Sequence, residues 1–465
     1  MTYQPPAHGF RTFLIVWLTQ SFSAFGSHLT FFTIVVWLTQ VLYPRPEQKP
    51  ELAFAISALG LSFGVPAIFG APLAGAWADR HDRKRTMLIV DFLHGILVLA
   101  LMGLMVTGHL QLWMLLILSV FASFLSSFHW SAFSTSYSMI VPPQQLPRAN
   151  GMMTTTEALS GILAPAVAAT LVSLPALARQ GAIGGALGAA LAELRDGAAL
   201  TMTIDALTFF LAGATLLFLF IPSPQRADLQ AGKPRVSIWA DVRVGATYIW
   251  RRRPMLWLLG TFAVSNFVHA PLSVFQTLLI KFNLAPDWSA RGFTFEGALA
   301  FISTMLALGG VIGGIFVSAW GGLKSRRVYG VIVPMIVAGF AQIAFGFSPY
   351  LFLSAAMVFL FSIGMPIVNA HSQAIWQAQT PHELQGRVFA VRRLIAQFTF
   401  PFGTALGGWM AGVFDVGWVT AALAGILVIF CAAQLFNPSL LRVEDREWLE
   451  ELAARAEGKQ AAPAG

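Results

Sequence analysis

The 465 residues carry only 11% charged side chains against 56% hydrophobic ones, with a mean hydropathy of +0.69. Soluble domains hold roughly a quarter charged residues, so this composition excludes a soluble globular enzyme and implies a chain that crosses a membrane many times. The formal charge of +8 does not indicate a nucleic-acid binder, because the bases lie in short loops between apolar runs, where they set topology.

The short polar segment 1–11 leads into a run too long for a signal-peptide core, which reads as a retained first helix. Runs of spanning length fall near 13–43, 52–78, 86–108, 111–141, 147–174 and 198–221. A polar stretch, 222–235, separates them from six more near 254–281, 296–320, 327–347, 349–379, 387–413 and 416–437. Twelve spans place both termini on one side. With Met1 inside, Arg45, Lys49, Arg179, Arg195, Lys281 and Arg291 lie outside, leaving 29 − 6 = 23 Lys and Arg within, so both termini are expected in the cytoplasm. Several runs exceed the roughly 20 residues a span needs, so tilts or bends are expected, with Gly26 a candidate bend in the first.

The expected fold is an all-α membrane protein with twelve transmembrane helices in two pseudo-symmetric six-helix bundles. The bundles are 1–221 and 254–437, joined by a cytoplasmic linker, 222–253, and followed by a tail, 438–465. In the linker, Ile238, Val242 and Ile249 at helical spacing, with Trp239 and Trp250, predict an amphipathic helix on the inner membrane surface. In the tail, Trp448, Leu449 and Leu452 predict a short solvated helix, and 460–465 are expected to be disordered. The lone Cys431 permits no intrachain disulfide.

The two halves repeat each other. Trp17 and Trp257 open the first helix of each, Ala76-Trp77 recurs as Ala319-Trp320, and Arg83-Lys84 recurs as Arg326-Arg327, at shifts of 240 to 243 residues. Pro143, Leu146 and Arg148 recur as Pro381, Leu384 and Arg387, and Ala132-Phe133-Ser134 aligns with Ala370-His371-Ser372. Several matches at a nearly constant shift indicate a duplicated unit.

Between the second and third runs the chain reads GAWADRHDRKR, from Gly75 to Arg85. The positive-inside bias accounts for Arg80, Arg83, Lys84 and Arg85 but not for Asp79 and Asp82, so this loop is expected to form a salt-bridge knot at a helix end. The spacing resembles the gating motif of the major facilitator superfamily, and Asp82, where many members carry Gly, resembles its macrolide, multidrug and siderophore exporters. The resemblance implies a secondary transporter with a substrate site between two halves. It further implies that Asp79 holds the inner gate by pairing with bases or with the amino end of the eleventh helix, near Gly386 and Arg387. The second half has Gly322 and Ser325 in place of the two acids, which makes the first-half loop the expected latch. In the fifth run, Gly151 and Pro165 survive from the exporters' antiporter motif, with small residues at its other positions, so close helix approach and a bend are expected there.

Ionisable groups in the membrane are costly and therefore candidates for function. Three acids qualify: Asp91, Glu157 and Asp205. Glu157 lies roughly 15 Å along its helix, near the midplane, and is the leading proton carrier. Asp91 is expected to complete the loop network with Arg83, Arg85 or Arg148, with Asp91 and Asp205 as alternative proton carriers. His28, His129, His269 and His371 fall in the first, fourth, seventh and tenth runs, which line the cavity in the resembling fold, and are expected to converge. With Trp130, Asn266 and Asn369 they would make an aromatic, nearly neutral cavity suited to bulky amphiphiles.

The expected partners are a small-molecule substrate, protons and the lipid bilayer, with the chain acting as a monomer in the cell membrane. Import or lysolipid flipping on the same scaffold remains the alternative. Gly60-Leu61-Ser62-Phe63-Gly64 matches the hydrolase Gly-x-Ser-x-Gly pattern, but it lies in an apolar helical run rather than at a strand-to-helix turn. No phosphate-binding loop, His-Glu-x-x-His or cysteine pair points to ATP, a cofactor or a metal.

Overall fold

The computed structural model describes residues 8–78, 80–221 and 238–456. Asp79, expected to hold the gate, the stretch 222–235, expected as the boundary, and the terminal 460–465 lie outside the described residues. Those described form helices and no strands, as hydrocarbon requires of a chain that must satisfy its own backbone groups.

The first half holds α1 (Gly9–Trp37), α2 (Lys49–Ala78), α3 (Arg83–Val106), α4 (Leu112–Ile140), α5 (Leu146–Arg179), α6 (Gly185–Glu193) and α7 (Ala198–Phe218). The second holds α8 (Ile238–Trp250), α9 (Arg253–His269), α10 (Leu272–Leu278), α11 (Ala285–Ala290), α12 (Phe295–Trp320), α13 (Tyr329–Phe347), α14 (Leu351–Gln379), α15 (His382–Val413), α16 (Val416–Gln434), α17 (Pro438–Leu441) and α18 (Arg446–Ala456). Eleven stretches among the described residues are long and apolar enough to cross a membrane. The run expected at 387–413 lies in α15, whose first turns carry Arg387, Arg392 and Arg393 and so lower its hydropathy.

Contacts divide the chain into two compact units. The first takes α1–α7 together with Trp288–Thr304, and the second takes the rest from α8 onward. In the first, α2 packs on α4, α3 on α7, and α1 on both α5 and α7. The start of α12 belongs here because the Thr304 hydroxyl donates to the carbonyl of Ile162 on α5 at 3.1 Å. In the second, α13 packs on α14 and α16, and α15 on α8 and α9.

The first span does not break at Gly26, which sits within the continuous α1. Gly26 instead lets α1 approach α7: a β-carbon there would meet Asp205 Oδ1 and Thr208 Oγ1 at 2.7 Å and the Asp205 α-carbon at 2.9 Å. The irregularity comes later, as a π-helical turn at Leu38–Leu42. A matching π turn at Leu279–Asn283 closes the first span of the second half, displaced by 279 − 38 = 241 residues, the shift of the sequence repeats. That second span is also interrupted between α9 and α10 at Pro271, which cannot donate a helical hydrogen bond.

The two polar helices dock on the second unit. In α8, Tyr248 and Ile249 are buried, Gly245 packs against the carbonyl of Arg387, and the Tyr248 hydroxyl donates to the carbonyl of Gln379, whereas Trp250 is 73% exposed. The side chains of Ile238 and Trp239 lie outside the described ones. In the tail, Asp445 caps α18 by accepting from the Trp448 amide at 3.1 Å, and Leu449 and Ala453 are buried. The tail is therefore a packed element rather than a solvated helix, because its apolar face finds a protein surface.

Replacing Gly26 with Ala is expected to overpack the α1–α7 seam by about 1–3 kcal/mol, lowering the thermal unfolding midpoint of the detergent-solubilised protein. Gly151→Ala, at a site with nothing within 4 Å, should leave that midpoint level or raise it.

Candidate functional site

A cavity of about 210 Å³ opens within the first unit. Helix α1 turns Trp17, Gln20, Ser21 and Ala24 toward it at the three- and four-residue spacing of one helix face. Helix α4 adds His129, Trp130 and Phe133, α5 adds Thr156 and Glu157, α3 adds His94, and α7 adds Phe209. The wall is aromatic with a polar seam: the Trp17 indole donates to Thr156 Oγ1 at 3.0 Å, and the Ser21 and Thr156 hydroxyls lie 3.0 Å apart.

Glu157 is not an isolated buried acid. Its carboxylate lies 3.6 Å from His28 Nε2, and the two side chains are 58% and 43% exposed. Asp91, by contrast, is wholly buried and does not join the loop bases. Eight residues of helix carry it about 12 Å beyond Arg83, into the bundle. There it accepts a hydrogen bond from Gln20 Nε2 at 3.0 Å, and its other oxygen lies 3.1 Å from His129 Nε2, close enough for an ion pair though not aligned as a hydrogen bond.

His94 is a residue that the sequence reading missed. It follows Asp91 by three positions, the spacing that puts two side chains on one helix face, and that was the available signal. Its Nε2 lies 3.1 Å from the Ala122 carbonyl and 3.3 Å from Ser126 Oγ, and its ring stacks on Phe209 at 4.7 Å. Behind it a second cavity, of about 120 Å³, is lined by Ser27, Thr30, Asp205 and the same His94. Asp205 is buried there, against the part of α1 that Gly26 lets in.

The four histidines do not all face a cavity. His269 is packed inside the second unit, with Nδ1 3.1 Å from Ser265 Oγ and its ring 5.0 Å from Phe361. His371 is buried with both nitrogens engaged: Nδ1 lies 2.7 Å from the Ile367 carbonyl, and Nε2 accepts from the Leu323 amide at 2.8 Å. These partners fix a neutral ring protonated at Nδ1 and make it a structural pin. Asn266 likewise donates to the Ala396 carbonyl at 2.7 Å, tying α9 to α15, while Asn369 is exposed.

In the α2–α3 loop, Asp82 caps α3 by accepting from the Arg85 amide at 2.8 Å. Arg83 is buried; its Nε donates to the Ala78 carbonyl at 3.2 Å and its Nη1 to the Thr135 carbonyl at 3.4 Å, binding the end of α2 to α4. Lys84 donates to the Leu217 carbonyl at 3.1 Å, Arg148 lies over the Phe10 ring at 5.2 Å, and Arg80 is exposed. Gly75 and Gly151 have open space beside them, and Pro165 lies inside the unbroken α5.

The repeat of this loop explains its own departures. Gly322 adopts φ +73°, and a β-carbon there would meet His371 Nε2 at 3.0 Å, so an acid does not fit where Asp79 stands in the first half. Arg326 also takes a positive φ, 53°. Arg327 pairs with the tail instead: Glu444 accepts from its amide at 2.6 Å and lies 3.9 Å from its Nε. Ser62 of the Gly-x-Ser-x-Gly match donates to the Leu59 carbonyl within α2, so it forms no nucleophile elbow.

The profile of the Major Facilitator Superfamily matches residues 16–178 and 180–397. Over 433 residues the chain is 25% identical to Macrolide efflux protein A of Streptococcus pyogenes, covering 90% of this chain and 94% of that relative. It is also 25% identical over 362 residues to Macrolide efflux protein A of Enterococcus faecalis, covering 76% of this chain and 99% of the relative. Among solved structures, a bacterial homolog of the human lysosomal transporter Spinster superposes with a TM-score of 0.62 at 15% identity, over 99% of this chain and 100% of that one. At that identity the likeness shows a common fold.

Arg83→Lys is expected to behave like Arg83→Met, because an ammonium cannot reproduce the planar fork that reaches two carbonyls. Each change should cost about 1.5–3 kcal/mol, read as a lowered unfolding midpoint in detergent. Full stability in the Lys variant would refute the bridging role.

Proposed function

The chain belongs to the major facilitator superfamily, a multi-pass membrane transporter and not an enzyme, and we propose that it exports a small amphiphilic compound by proton antiport. Both termini lie in the cytoplasm, and a single chain suffices. The observation that carries this reading is the cavity in which Glu157, half-exposed and 3.6 Å from His28, shares the wall with the rings of Trp17, Trp130, Phe133 and Phe209. Aromatic walls suit a bulky apolar body, and the paired carboxylate supplies a group that can exchange a proton. The relatives named macrolide efflux proteins support export and a macrolide-like substrate.

Glu157 carries the proton. Protonation would release His28 and remove one charge from the cavity wall, and a state that differs in charge differs in the conformation it favours. The α2–α3 loop, with Asp79 and Arg83, and its repeat at Arg326 and Arg327 act as the gate. A proton moving down 100 mV yields about 2.3 kcal/mol, enough for a substrate gradient of roughly fiftyfold.

Inverted vesicles bearing the full-length protein should accumulate a labelled macrolide against its gradient and lose it when an ionophore collapses the proton gradient. Glu157→Gln should abolish that accumulation while leaving binding measurable. Accumulation that ignores the ionophore would overturn proton coupling; a Gln variant as responsive as the parent would remove Glu157 from the mechanism.

A further inference from the structure

The first unit buries more ionisable chemistry than the Glu157–His28 pair uses. Five buried polar atoms there lack a well-aligned partner among the described residues: Thr30 Oγ1, Asp91 Oδ1, His94 Nδ1, His129 Nε2 and Asp205 Oδ1. Every such atom of the first unit belongs to this one cluster. Two of them, Asp91 Oδ1 and His129 Nε2, face each other at 3.1 Å, and the group flanks two cavities that share His94, Ser126, Ser27 and Phe209. The titratable groups around the cavities come from five helices: His28 from α1, His94 from α3, His129 from α4, Glu157 from α5 and Asp205 from α7. Asp91 stands directly behind His129, and α2 adds no titratable lining residue.

We propose that Asp91 and His129 form a second proton site behind the cavity, loaded from Glu157. The reading rests on proton antiport as its setting. Asp91 has no exposed surface, and its hydrogen-bond donor is the neutral Gln20 amide. A bare carboxylate in such a place is strongly disfavoured, whereas one proton shared with His129 makes the pair neutral whichever partner holds it. In the transfer, the O–H bond of protonated Glu157 breaks as a second N–H bond forms on the His129 ring; the imidazolium Nε2–H bond then breaks and an O–H bond forms on Asp91 Oδ1, with no other reactant needed. Delivery is open because His129 and Glu157 line the same cavity. His94 borders both cavities and so stands between this site and the cavity that Asp205 lines.

The occupied site also has a mechanical meaning. Gln20, Asp91 and His129 come from α1, α3 and α4, so the position of the proton sets how three helices of one bundle are bonded together. A site facing the substrate would couple by competition; this one couples by changing the packing behind it.

The test is an infrared pH titration of the full-length protein in liposomes, between about pH 5 and about pH 9, with no substrate present. Asp91→Asn should delete one carboxylic-acid stretching band seen in the parent and in Glu157→Gln, and His129→Gln should move the pH at which that band appears. In inverted vesicles, both Asp91→Asn and His129→Gln should lower proton-driven macrolide accumulation by on the order of a hundredfold, the lower end of what a positioned proton-transfer group contributes. An unchanged band in Asp91→Asn, or parental accumulation in both variants, overturns the proposal. If Asp91→Asn does not fold, the His129→Gln band shift decides the matter alone. Should accumulation ignore the proton gradient while the Asp91 band persists, antiport fails and the second proton site stands.

Discussion

Inside a bilayer a charge must be neutralised or bonded where it stands, and Asp91 imposes that demand on the whole first bundle. Its two oxygens are met by a glutamine from α1 and a histidine from α4, so the acid fixes the rotation of both helices about α3. Asp205 does the same between α1 and α7, where Gly26 removes the side chain that would hold the helices apart. The cavity exists because these polar crossings space the helices, while Phe133, Phe209 and Trp130 fill the intervals.

The second unit meets the same demand differently. Its histidines are spent on structure, His371 pinning the loop at Leu323 and His269 closing a packed interior. Its loop charge, Arg327, is answered by Glu444 from the tail, and Gln379 donates to the Glu444 carbonyl at 3.0 Å while its own carbonyl accepts from Tyr248. One duplicated scaffold thus holds its ionisable groups around a cavity in one half and spends them on its loops in the other.

The twelve runs, the duplication and the superfamily were legible in the sequence because hydrocarbon filters composition and because the loop motif spans few residues. The partners of buried groups were less legible. Asp91 looked like a loop residue by its distance along the chain, and only the helix rise and the rotation of α3 turn it toward His129. His94 lies among apolar neighbours in the sequence, and for His371 the sequence gives depth along the helix but not the face, which turns it to Leu323 and Ile367. The docking of α8 and α18 depends on a partner surface that their own amphipathic patterns cannot specify.

The paired π turns show how a helix shape can be specified by more than one sequence. Each inserts about one residue into its helix and advances the phase of everything after it. The segments LTQVL and LIKFN have only their leading leucine in common, yet both halves carry the turn at equivalent places. The same helical shape is thus built twice from different residues. Because both halves carry the extra residue at the same shift as their sequence repeats, the bulge leaves the two halves in register with each other.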